Sequence, residues 1–136
     1  MSREPDLTSI LTGLLGWQVI EAAGELQQVP YWCARVHRKA KVSRDDIRAW
    51  WREAVERAVL AERMPALVYK QRGDDWRVVV AWCALNDPRP DDWASYDLAG
   101  DCSLAGWAVL VKELAANIER YPAAAGAEVI SRTVGH

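Results

Sequence analysis

Seven basic residues in the middle of the chain have the charge and the spacing to hold a phosphate backbone. Arg38, Lys39 and Lys41 lie close together, Arg44 and Arg48 stand one helical turn apart, and Lys70 and Arg72 follow a later apolar segment. Lys and Arg side chains neutralise phosphates and release the counterions condensed on them, which is the main source of sequence-independent nucleic-acid affinity. The chain as a whole carries a net charge of −2, but residues 35–77 carry +5 between flanks of −3 and −4. Such a local basic face steers a phosphate backbone even on an acidic protein. Arg44, Arg48 and Arg52, at i, i+4 spacing, are equally consistent with the wet face of a helix paired with Glu53 or Glu56. His37, next to Arg38 and Lys39, reads as a solvated residue at a strand end. Cys33, Cys83 and Cys102 are widely spaced with only His37 and His136 as imidazoles, so neither a disulfide framework nor a zinc site is expected.

The 136 residues suit one domain able to bury a core without staples, and eight Trp with no Phe imply that indoles fill it. Trp50 and Trp51 are adjacent, so on a helix they point about 100° apart and cannot both sit at the centre of one buried stripe. No apolar run approaches the roughly 20 residues that span a bilayer, and the start does not have the pattern of a signal peptide. The expectation is a soluble, cytoplasmic protein.

Residues 6–15 have apolar residues at helical spacing after Pro5, with Gly16 as a stop. Trp17–Ala22 alternates as a strand, and Gly24 with Gln27–Pro30 reads as a turn. Tyr31–Arg38 is the next strand, with Tyr31, Cys33, Arg35 and His37 on one face and Trp32, Ala34 and Val36 on the other. Ser43 and Asp46 make a capping-box start for a helix to about Arg63, its buried stripe running through Ile47, Trp50, Trp51, Ala54, Val55, Ala58 and Ala61. Strands Ala66–Gln71 and Trp76–Trp82 form a hairpin around the Arg72–Asp75 turn. Asn86–Gly100 reads as a solvated loop. Asp101 or Ser103 then caps a helix carrying Leu104, Trp107, Leu110, Val111, Leu114 and Ile118, with Pro122 as its end and a weak strand or frayed tail beyond.

The order helix, strand, turn, strand, basic helix, hairpin, with YWCARVHRKAKVSRDDIRAWW leading to PALVYKQ, resembles the core of the PD-(D/E)xK nucleases, in particular the small Holliday junction resolvases of phages and archaea. The resemblance implies an α/β (α+β) fold, a mixed β-sheet flanked by helices with a restriction-endonuclease-like core in residues 1–85. An acidic Pro/Asp loop over 86–100 and an extra C-terminal helix with its tail over 101–136 complete a single domain.

In that family an early-helix Glu, an Asp and a strand Glu-x-Lys surround Mg²⁺, with the Lys orienting the attacking water. By resemblance Glu4 stands for the early Glu and Glu25 for the Asp, so that Glu4 and Glu25 would be the metal ligands, and Arg35-Val36-His37 falls on Glu-x-Lys. A one-step gap would offer Cys33-Ala34-Arg35 instead. Neither register supplies the strand carboxylate, and Arg35 puts a fixed positive charge where the cation belongs. Glu53, on the helix packed against this strand, is the candidate for a migrated acid. Glu25, Glu53, Arg35 and His37 are therefore the positions of a degenerate site, with Mg²⁺ as cofactor only if cleavage survives.

Three functions compete. The first is a resolvase-like DNA-binding protein of a phage or mobile element, with cleavage weakened or lost, binding branched or duplex DNA as a homodimer. The second is a catalytically dead nuclease fold that inhibits or adapts a host protein, using Trp and the acidic loop Asp87–Asp97. The third is a structural subunit that dimerises through Leu104–Ile118.

Overall fold

The computed structural model describes residues 6–81 and 99–120. Within these residues three helices, α1 (Leu7–Leu15), α2 (Arg44–Ala61) and α3 (Leu104–Arg120), flank one mixed sheet of six strands. The strands are β1 (Ile20–Ala22), β2 (Glu25–Gln27), β3 (Trp32–Lys39), β4 (Met64–Gln71), β5 (Arg77–Ala81) and β6 (Ala99–Ser103), and they lie side by side in chain order. Only β3 and β4 are parallel, in register from Trp32 opposite Met64 to Lys39 opposite Gln71. A parallel pair needs a long crossover, and α2 is that connection. The fold is thus mixed α+β, as the alternation and capping signals imply.

The period of two along β3 decides what each layer of helices meets. Trp32 packs edge-on against Trp107 of α3, ring centroids 5.8 Å apart, so the even-numbered residues of β3 face α3, against which α1 also packs. The odd-numbered residues face α2: His37 stacks on Trp50, which also leans toward Tyr69 of β4. Between these layers β4 and β5 are buried on both faces, with Ala66, Leu67, Val68, Val78, Val79 and Val80 fully covered. Trp51, 1% exposed, takes the centre of α2's stripe with Ala54, Val55 and Ala58, while Trp50 lies on its shoulder.

Each helix ends as its sequence dictates. Gly16 adopts φ +88° and donates its N–H to the Thr12 carbonyl, closing α1. Ser43 and Asp46 exchange the two bonds of a full capping box at α2. The Ser43 hydroxyl thereby answers a backbone N–H that the first turn leaves open.

Several sequence expectations need correction. The first strand is shorter than Trp17–Ala22, because the indole N–H of Trp17 is drawn to the Gln28 carbonyl (2.8 Å) ahead of the ladder. The stretch read as a turn after Gly24 contains β2, joined to β1 through Ala23 and Gly24, both in the left-handed region. Ala99 and Gly100, assigned to the loop, open β6, which pairs antiparallel with β5. Ser103 rather than Asp101 caps α3, its hydroxyl accepting from the Gly106 N–H, while Asp101 in β6 pairs with Arg77 at 2.7 Å. Ala61 is exposed rather than part of the buried stripe. The apolar stripe of α3, offered above as a dimer face, is covered within the chain at Leu104, Trp107 and Val111. The loop Asp87–Asp97, Pro122 and the tail lie outside the described residues. No helix among those described is long and apolar enough to cross a membrane.

Candidate functional site

Glu25, Arg35, Glu53 and His37, named separately along the sequence, come together under α2. Glu25 is opposite Arg35 in the β2–β3 register, and α2 brings Glu53 over the same strand face. Arg35, its side chain 15% exposed, points Nε and Nη2 at Glu53 Oε1 (3.2 and 3.1 Å), with Nη1 3.8 Å from Glu25 Oε1. Nη1 also donates to the Ala23 carbonyl in the β1–β2 turn (3.3 Å). Arg57, on the next turn of α2 after Glu53, approaches Glu25 Oε1 at 3.7 Å. Two carboxylates thus face two guanidinium groups, and no net negative charge remains to attract a divalent cation. Hard cations require several oxygen ligands free to turn inward, and here both carboxylates are engaged by fixed cations. Among the described residues no group of three or more His, Cys, Asp or Glu side chains could hold a metal ion. Glu4, the other expected ligand, lies outside them.

The neighbours of this cluster are chemically quiet. Cys33 is buried, and burial together with its Sγ–H donation to Glu25 Oε1 (3.3 Å) pushes the thiol up to about 12. The unreactive thiol, not the nucleophilic thiolate, is the form present at neutral pH. His37 is not the solvated strand-end residue that its sequence neighbours imply. Its ring lies 4.6 Å from that of Trp50 and within 6° of parallel, and its Nε2 is buried without a hydrogen-bond partner, 4.0 Å from Glu53 Oε1. Burial holds its pKa below the ordinary 6.5, opposed by Glu53 and assisted by Arg35. The ring is therefore neutral at pH 7.

No family model matches this chain, and neither a curated protein nor a solved structure matches it.

The basic residues divide into two groups. Arg38 and Lys39 at the carboxyl end of β3 meet Lys70 at the end of β4 and Arg72 in the hairpin turn, around a concave site of about 570 Å³ that Trp76 and Asp6 also line. Arg38 is opposite Lys70 in the parallel register. Lys41, Arg44 and Arg48 are exposed on the connection into α2 and on its first turns, outside that concavity. Arg38 and Lys39 are answered by acids. Arg38 makes a two-pronged pair with Glu21 of β1 (2.7 and 2.9 Å), which holds the Glu21 carboxyl below its usual range. Lys39 bonds both oxygens of Asp46 at 2.9 and 3.0 Å.

Trp76 is a functional candidate that sequence reasoning assigned only to a strand. It precedes β5, half-buried, with the Arg38 guanidinium 4.9 Å and the Lys70 ammonium 5.9 Å from its ring centroid. A tryptophan beside the Arg72–Asp75 turn was the available signal, but only the β3–β4 register shows which cations it meets.

Proposed function

We propose that the chain binds DNA through phosphate contacts on a PD-(D/E)xK-like scaffold and does not cut it. The observation that carries this reading is the convergence of Arg38, Lys39, Lys70 and Arg72 around one concave site at the carboxyl ends of the parallel pair, on a chain that is acidic overall. Ligand sites of sheets with parallel strands favour that end. The succession α1, three antiparallel strands, crossover α2 and a parallel strand supports the nuclease-like comparison. Loss of cleavage follows from Arg35, whose guanidinium lies between Glu25 and Glu53. Branched or duplex DNA is the ligand on this reading, and a homodimer its form by analogy with the resolvases.

The test is fluorescence anisotropy with a labelled duplex and a labelled four-way junction at low salt. Affinity should fall linearly with added salt on logarithmic axes, and Lys70→Glu with Arg72→Glu should shift the whole curve to weaker binding. Absence of binding at low salt would overturn the proposal in favour of a protein-binding module.

A further inference from the structure

We infer that the concave site beside Trp76 takes an unstacked nucleotide, its base lying on the Arg38–Trp76 stack and its phosphate on Lys70 and Arg72. The inference rests on the DNA-binding reading and sharpens it: the preferred ligand is DNA that is single-stranded at the point of contact.

Arg38 sets the platform. Its guanidinium is gripped by both oxygens of Glu21 on one side and lies 4.9 Å from the Trp76 ring centroid on the other. A guanidinium held in that way presents a planar, charged surface on which a base can stack. Nucleobases stack on aromatic rings and on arginine planes alike, at little cost in sequence preference.

The size of the site points the same way. The site is an open depression of about 570 Å³, more than one phosphate occupies. A duplex keeps its bases paired and stacked inside, so it offers this site only a backbone strand across the rim and leaves the interior unused. An unstacked base has room to enter it. Lys70 is the cation nearest the indole after Arg38, and Arg72 is exposed at the hairpin, so both lie where the attached phosphate would emerge. Lys39, tied to Asp46, contributes less. One acid opposes the arrangement: Asp6 lines the site and makes no side-chain cap bond to α1, and although its carboxylate helps to hold Arg38 charged, it repels a phosphate.

The experiment compares a short oligodeoxythymidylate with a duplex of the same length, by anisotropy at low salt, for the full chain and its variants. Wild type should bind the single strand more tightly. Trp76→Leu should lower single-strand affinity about tenfold, the range expected for one lost base–aromatic stack, and leave duplex affinity nearly unchanged. Trp76→Phe, which keeps a ring face, should restore most of the loss, and Asp6→Asn should tighten both ligands. If Trp76→Leu does not fold, Arg38→Lys, which keeps the charge and removes the plane, should lower single-strand affinity several-fold. Equal binding of strand and duplex, or equal loss of both in these variants, overturns the nucleotide site while leaving DNA binding intact. Failure of both DNAs to bind wild type overturns both.

Discussion

A guanidinium held 3.1 Å from one carboxylate and 3.8 Å from another changes what those two acids can do. Glu25 and Glu53 share Arg35, and removing it would leave Glu53 without its guanidinium and Glu25 with Arg57 alone. Arg35→Met should therefore destabilise the fold by about 1 kcal/mol in urea unfolding, because Glu53 is 44% exposed and Glu25 keeps Arg57, and adding Glu53→Gln should recover much of that. His37 gives a pH signature. Burial keeps its folded pKa below the ordinary 6.5 that the unfolded chain retains, so the unfolded state takes up the proton first. Its contribution to stability is complete above about pH 6.5 and is lost as pH falls toward the folded value. His37→Gln should flatten the melting temperature between roughly pH 7 and pH 5, above the range in which Glu21 titrates. The shared face of Cys33, Arg35 and His37 was legible from alternation alone. The burial of His37 was not, because it depends on how far along β3 the helix α2 comes to rest, and that is fixed by Trp51 and the alanines packing beneath it.

Elements were legible where a local signal agreed with tertiary packing. The Ser43–Asp46 box, the Gly16 stop and the Val-rich hairpin all lie where their sequences put them. Ser43→Ala should cost about 1 kcal/mol by removing the hydroxyl that accepts the Asp46 N–H, measurable by thermal unfolding. β2 and β6 were illegible for opposite reasons. The β1–β2 connection is a two-residue loop with both central residues at positive φ, the geometry of a type I′ turn, but its residues are Ala23-Gly24 rather than the Asn-Gly that announces one. Ala23 at φ +54° carries the cost of a Cβ in the left-handed region, so Ala23→Asn should stabilise the chain by up to about 1 kcal/mol. In β6, Ala-Gly-Asp-Cys-Ser has almost no strand propensity. It pairs because β5 is buried on both faces and presents an edge whose backbone groups require partners.

For the whole molecule, the order of elements was enough to anticipate a mixed sheet flanked by helices, while the adjacency of all six strands required the long-range register. The same architecture brings Glu25 and Glu53 together and sets Arg35 between them. An early-helix acid, a β2 acid and a migrated α2 acid would need to surround one cation, yet Glu25 and Glu53 meet at Arg35, with Arg57 adding a second positive charge at Glu25. A divalent ion entering there would lose most of its hydration and gain strong repulsion from guanidinium groups that cannot deprotonate. Mg²⁺ or Mn²⁺ should accordingly leave the melting temperature of wild type unchanged, because a ligand that does not bind the native state adds no stability. Incubation with either ion and a labelled four-way junction should leave the DNA intact on denaturing gels, even at salt concentrations where anisotropy reports binding. Robust cleavage would reverse this reading, and Glu25→Gln and Glu53→Gln, made separately, would then identify its source. Abolition by both would mean that the carboxylates leave Arg35 when DNA binds and take up the metal; indifference to both would place the chemistry on other residues.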